Sequence, residues 1–226
     1  MTHPRPIGAA PVKPLRSDAQ RNRAAILDAA RDAFASDGLE TSLEGIAARA
    51  GLAIGTLYRH FPTRLDLAEA LFTEKMSQWL TAAEEALAIP DAWAGFAYYL
   101  TSLCELQAHD RGFNDFASMR FPTRVLTEDA RVRAFRMSRE IVRRAQQSGD
   151  VRADVTPEDM AFVLWAQARV IQATRSVAPD AWRRHLGLML DAFRAEGAHP
   201  LPGPPMTPRE VEKAMTIMGD SGACGG

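Results

Sequence analysis

The chain has 226 residues, 46% of them hydrophobic, which suits one large globular domain or two small ones. Its net charge of −1 excludes a uniformly basic, histone-like binder of nucleic acid. Two cysteines, Cys104 and Cys224, cannot build a disulfide framework, and no stretch approaches the roughly 18 consecutive apolar residues of a membrane helix.

Residues 1–17 hold Pro4, Pro6, Pro11 and Pro14 together with Arg5, Lys13 and Arg16, the composition of a flexible, weakly basic arm. Such an arm is either a plain leader or a segment that reaches into a DNA minor groove. Met1 to Pro14 carries no apolar core segment, so no signal peptide is expected and the protein is placed in the cytoplasm. A first helix is predicted from Asp18 to Asp37, with Ile26, Leu27, Ala30 and Phe34 on one face and Gly38 as its stop.

The next stretch, Ser42 to Arg64, reads SLEGIAARAGLAIGTLYRHFPTR. Leu43, Ile46, Ala47 and Ala50 recur at helical spacing, so a short amphipathic helix is predicted there. Gly51 follows where that helix must stop, and Leu52 fits as the buried plug of the turn. From Thr56 the helical spacing resumes, with Leu57 and Phe61 turned inward and Thr56, Tyr58, Arg59 and His60 outward. Pro62 ends this second helix, because the residue before a proline is pushed out of helical geometry. Helix, glycine turn and helix form the helix-turn-helix plan, whose second helix can lie in a DNA major groove. Residues 1–65 carry nine Lys or Arg against six Asp or Glu, a net of +3, and the remainder carries 18 against 22, a net of −4. A cationic head on an anionic body suits a protein that touches phosphates with one end only.

Beyond Pro62 the pattern is helical almost throughout. Helices are predicted from Thr63 to about Ala88, from Ala92 to about Asp110 with a stop near Gly112, and over Phe113 to Met119. Further helices are predicted from Thr127 to about Ser148, from Thr156-Pro157 to about Val177, and from Pro179 to Glu196. The Pro- and Gly-rich tail has room for a short helix over Thr207 to Met218. The helix opened by Pro157 is apolar around nearly its whole circumference, so it must be buried on two sides. One of those sides is expected to meet a second copy of the chain. The interface residues expected are Phe162, Trp165, Arg169, Trp182, Leu186, Met189 and Phe193. Two-fold pairing would also set two reading helices about 34 Å apart, matching successive major grooves.

The run AGLAIGTLYRHFPTRLDL resembles the signature of the TetR family of bacterial transcriptional regulators, and the likeness covers roughly residues 18–67. The chain departs from the family pattern at Ala53 and Ile54, which leave the second helix without a side-chain cap. The resemblance implies an all-α fold, a three-helix helix-turn-helix unit followed by a C-terminal helical bundle, about nine helices in total. It divides the chain into an arm over 1–17, a DNA-binding unit over 18–65, an effector-binding and dimerisation unit over 66–197 and a tail over 198–226. Ser42 and Arg64 are expected to hold phosphates, Thr56, Tyr58 and His60 to contact phosphate or base, and Arg59 to read a guanine edge. The resemblance further implies a cavity for a small, lipophilic effector among Phe96, Tyr99, Leu103, Gln107, Phe116, Met119, Phe135 and Gln167.

Catalytic chemistry finds no support in the sequence. The histidines His3, His60, His109, His185 and His199 are scattered, no metal-ligand spacing occurs, and no phosphate loop or dinucleotide fingerprint is present. No cofactor is expected. The sequence is read as a homodimeric repressor that binds double-stranded DNA at a palindromic operator and is released by a small molecule. Two rivals are a DNA-binding dimer that senses nothing and a helical binding protein whose head has lost DNA affinity.

Overall fold

Apolar residues at three- and four-residue intervals wind the chain into α-helices wherever a local signal allows one to start. The computed structural model describes residues 15–38, 41–118 and 128–223. Among the described residues there are ten helices and no strand, apart from one isolated antiparallel bridge between Val151 and Arg194. The helices are α1 (Leu15–Asp37), α2 (Leu43–Arg49), α3 (Ile54–His60), α4 (Arg64–Ala88), α5 (Ala92–His109), α6 (Arg111–Ser118), α7 (Glu128–Gln147), α8 (Asp159–Thr174), α9 (Ala181–Phe193) and α10 (Pro208–Ala223). The fold is all-α as expected, and α10 in the tail brings the count to ten. No described helix is long and apolar enough to cross a membrane. Met119 and the arm up to residue 14 lie outside the described residues.

Local signals set most boundaries. Thr63 caps α4 reciprocally: its hydroxyl accepts from the Asp66 amide at 3.1 Å, and the Asp66 carboxylate accepts from the Thr63 amide at 2.9 Å. Several expected boundaries move: α1 opens at Leu15 rather than Asp18, so residues 15–17 of the expected arm are helical, and α10 runs on to Ala223. The short helix α6 opens at Arg111 rather than Phe113, because the Asp110 carboxylate caps it by accepting from the Phe113 amide at 2.9 Å. Gly112 therefore breaks no helix. A Cβ there would lie 2.9 Å from the Phe34 Cβ and 3.1 Å from its carbonyl oxygen, so the missing side chain lets α6 close on α1. In α8 the expected start at Thr156-Pro157 becomes a tightened turn, with the Asp159 and Met160 amides donating to the Thr156 and Pro157 carbonyls at 3.1 and 3.2 Å.

Two hydrophobic clusters organise these helices. The first joins Ile26, Ala30 and Phe34 of α1 to Ile46 of α2, Leu57 of α3, Leu67 and Leu71 of α4, and Phe113 of α6. The second is built mainly from α4, α5, α7, α8 and α9, around Phe96, Leu100, Leu103, Ile141, Val163, Ile171 and Trp182. Trp79 on α4 packs against both clusters, donates its indole N–H to the Tyr99 hydroxyl at 2.9 Å and meets Phe113 edge-on. Burying side chains of this size stabilises the fold by about 1.5–3 kcal/mol each. The far end of α4 is pinned by Arg144 of α7, which donates to the carbonyls of Leu87 and Ile89 at 2.6 and 2.9 Å and so satisfies acceptors that a helix end leaves open.

Candidate nucleic-acid interface

The reading head is assembled from the inside outward. Leu57 is fully buried and locks α3 against α1 and α2, while Phe61 beneath it carries the Arg23 guanidinium over its ring at 5.2 Å. The turn that sets the angle between α2 and α3 closes through the Gly51 amide donating to the Ala48 carbonyl at 3.0 Å and the Leu52 amide donating to the Ala47 carbonyl at 2.9 Å. Gly51 has φ +68°, a conformation that side-chain-bearing residues rarely adopt, which is why glycine stands there. At the start of α3, Ala53 makes no side-chain cap. The Thr56 amide instead donates to the Ala53 carbonyl at 2.8 Å, tightening the first turn.

With Leu57 inward, Tyr58 and Arg59 face water, Tyr58 at 44% exposure, and Thr56 and His60 are half-buried. Arg59 folds back along its own helix, donating from Nε to the Gly55 carbonyl at 3.1 Å and from a terminal nitrogen to the Thr56 hydroxyl at 3.0 Å. That arrangement holds the guanidinium beside Thr56, on the water side of α3. The Ser42 hydroxyl caps α2 by accepting from the Gly45 amide at 3.2 Å and donates to the Glu44 carboxylate at 2.9 Å. Arg64, at the start of α4, donates to the Thr41 carbonyl, which brings its charge to the residue before Ser42. The Glu44 carboxyl is held below its usual range, first by its own backbone amide, then by the Ser42 hydroxyl, with the Arg64 charge adding to both. Glu44 was missing from the sequence-derived set. Its position two residues after a capping serine is the signal that could have found it.

A sequence profile described as bacterial regulatory proteins, tetR family, matches residues 26–71, and one described as transcriptional regulator SbtR-like, C-terminal domain, matches residues 91–195. Between them the two cover most of the chain. The chain belongs to the TetR family. Both profiles describe regulators, and α2 and α3 form the helix-turn-helix of that family. It is 41% identical over 61 residues to the fatty acid metabolism regulator protein of Bacillus subtilis, covering 26% of this chain and 31% of that protein. The chain spans less than half the length of the curated relatives it matches. Among solved structures, it is similar to the TetR regulator SCO0520 of Streptomyces coelicolor, with 28% identity, a TM-score of 0.51, and 76% of this chain and 98% of that one covered. Its fold is also similar to that of FadR from B. subtilis in complex with stearoyl-CoA, with 20% identity, a TM-score of 0.54, and 78% and 99% covered.

The residues expected around an effector do not all gather. Phe96, Tyr99, Leu103 and Gln107 share the inward face of α5, and Gln167 faces them from α8, all fully or almost fully buried. Gln107 donates to the Leu164 carbonyl at 3.1 Å, and Gln167 donates to the Trp182 carbonyl at 3.1 Å. Phe135 is a correction: it stands 40% exposed on the outer face of α7, with Arg139 over its ring at 5.8 Å. Phe116 belongs to α6, and Met119 lies outside the described residues.

The expected dimer residues divide by helix. On α8, Phe162 is 48% exposed and stands edge-on to Trp165 at 5.7 Å, with the exposed Arg169 one turn on. On α9 the expectation is corrected. Trp182, Leu186, Met189 and Phe193 recur at helical spacing on one face; Trp182, Leu186 and Phe193 pack into the chain's own core, and Met189 is half-buried. Trp182 is 2% exposed, Leu186 is equally buried, and Phe193 packs edge-on against Phe96 at 5.5 Å. The large apolar residue that α9 shows to water is Leu188, 56% exposed.

Proposed function

We propose that the protein is a cytoplasmic repressor that pairs through α8 and α9, binds a palindromic operator with two copies of α3, and lets go when a small lipophilic molecule enters the body. In this reading residues 18–65 form the head, 66–197 the effector and dimer unit. The observation that carries it is the exposed Phe162 and Arg169 on α8 with the half-buried Trp165 between them, and Leu188 exposed on the neighbouring α9. Large apolar side chains grouped on a surface mark an interaction site. A second copy fits best, because two-fold pairing gives the spacing that successive major grooves require. In the head, Arg59, Tyr58, Thr56 and His60 meet bases and phosphates, while Ser42 and Arg64 hold the backbone.

An apolar body with a few placed polar groups, here Tyr99, Gln107 and Gln167, suits a lipophilic effector. The FadR neighbour was solved with stearoyl-CoA, so this fold accommodates a ligand with a long apolar chain in that protein. Release requires that the effector prefer a conformation whose heads no longer match the operator. A second reading, a dimer that senses nothing, draws on the full burial of Phe96, Leu103 and Gln107 in the folded chain.

Selection of bound fragments from the source genome, with and without lipid extract of the same cells, tests all three parts. The proposal expects one inverted-repeat sequence, a dimer on it, and loss of binding on adding extract. Retention of every fragment in the presence of extract would favour the second reading. A monomer by sedimentation at micromolar concentration would remove the pairing.

A further inference from the structure

Ser42 and Arg64 are the side chains read above as phosphate contacts, and the inference that follows rests on that reading. In the unbound head neither stands apart from the protein's own acid. The Ser42 hydroxyl has one proton to give, and it goes to Glu44 at 2.9 Å, while its lone pair takes the Gly45 amide at 3.2 Å. Arg64 is drawn to the same corner by its bond to the Thr41 carbonyl. Its charge adds to the pull that keeps the Glu44 carboxyl ionised.

A carboxylate accepting from the Ser42 hydroxyl makes the interaction that a phosphate oxygen would make there, and its charge offsets that of Arg64. We propose that Glu44 sets the affinity of the head for DNA by occupying, in the unbound protein, the Ser42 hydroxyl that a phosphate takes in the complex, and by offsetting the charge of Arg64. An approaching backbone must displace the carboxylate from Ser42 and tolerate a negative charge at its side. Glu44 is fully exposed, so it can swing into water without disturbing the core. The displacement is the same for every sequence. It therefore lowers affinity for operator and random duplex alike, and leaves to α3 the choice between them.

The test is the affinity of wild type, Glu44→Gln, Arg64→Ala and the double variant for a mixed-sequence duplex, by fluorescence anisotropy over a salt series, each checked for unchanged helicity. Glutamine keeps an acceptor for the Ser42 hydroxyl and removes only the charge. Glu44→Gln should bind about threefold more tightly. Its log-log salt slope should steepen by up to about one. In the Arg64→Ala background the gain should shrink, since part of the attraction that Glu44 offsets is then gone. Wild type that binds while Glu44→Gln binds no better would overturn this inference and leave the DNA-binding reading standing. So would a gain undiminished without Arg64, which would make Glu44 a remote charge. Wild type that binds no duplex at low salt would remove both.

Discussion

Replacing Gly55 with alanine should make the fold more stable and DNA binding weaker. Gly55 lies in the first turn of α3, and a Cβ built on it meets no protein atom within 4 Å. Its backbone does not take the left-handed conformation found at Gly38, Gly51, Gly149 and Gly197. Folding therefore places no demand for glycine here, and helix propensity opposes it by roughly 0.5–1 kcal/mol relative to alanine. Near a helix start the lower end applies, so about 0.5 kcal/mol should be gained. For a chain of this length that corresponds to about 1–2 °C in Tm. The reason for the glycine then lies outside the chain, in the DNA that α3 approaches. A methyl group pressed against a sugar or phosphate should lower affinity about tenfold, equivalent to about 1.4 kcal/mol. Thermal melts by circular dichroism and anisotropy on the selected operator fragment measure the two effects separately. A fall in Tm of several degrees would show that Gly55 is required by the fold. A raised Tm with unchanged affinity would show that DNA does not come close to this turn.

Gly95→Ala should act in the opposite sense on stability. A Cβ there would lie 2.5 Å from the Ala86 carbonyl oxygen, a backbone atom that cannot rotate away, so α4 and α5 must part. The cost should be about 2–3 kcal/mol, read as a lower urea midpoint, and an unchanged midpoint would contradict the close packing of that pair. Phe162→Glu places a charge on the uncovered face of α8 and should yield a monomer in sedimentation, with melting of the chain itself altered by no more than about 0.5 kcal/mol. Burial pushes the Cys104 thiol up to about 12, so at pH 8 about one molecule in ten thousand carries a thiolate. In a Cys224→Ser background, a thiol reagent should leave the native protein unlabelled and react at once in denaturant. Rapid native labelling would show that Cys104 is accessible.

The head was readable from the sequence because its determinants are local. Ser42, Gly51, Pro62 and Thr63 each act on residues within one turn, and the α2, α3 and α4 boundaries fall within a residue or two of expectation. The outward set on α3 follows from one fact, the inward placement of Leu57. What the sequence hid is set by partners far along the chain. A helical wheel groups Trp182, Leu186, Met189 and Phe193 on one face, yet cannot say whether that face meets a second copy or Phe96 of the same chain. Phe135 is a large residue in the region where the resemblance implies a cavity, yet its helix carries Arg133, Arg136, Arg139 and Arg143 on the same outer side. The tie from Arg64 to the Thr41 carbonyl spans 23 residues and leaves no periodic trace.

The two hydrophobic clusters do not divide the chain at residue 65, and this bears on how the body can speak to the head. Leu67 and Leu71 of α4 and Phe113 of α6 lie in the same cluster as Ile26 and Leu57, so the body closes the core of the head. A fragment ending at residue 65 would lose those three side chains, each worth about 1.5–3 kcal/mol of burial. The seam is also tight. Gly112 leaves no room for even a methyl group against Phe34, so α6 cannot slide on α1 without moving it. Trp79, hydrogen-bonded to Tyr99 in one cluster and edge-on to Phe113 of the other, ties α4 to the same seam. A molecule that displaced α5 or α6 would therefore be felt at α1, and through Leu57 at α3, by contact between packed side chains alone. It would change DNA affinity only to the extent that it prefers the displaced arrangement.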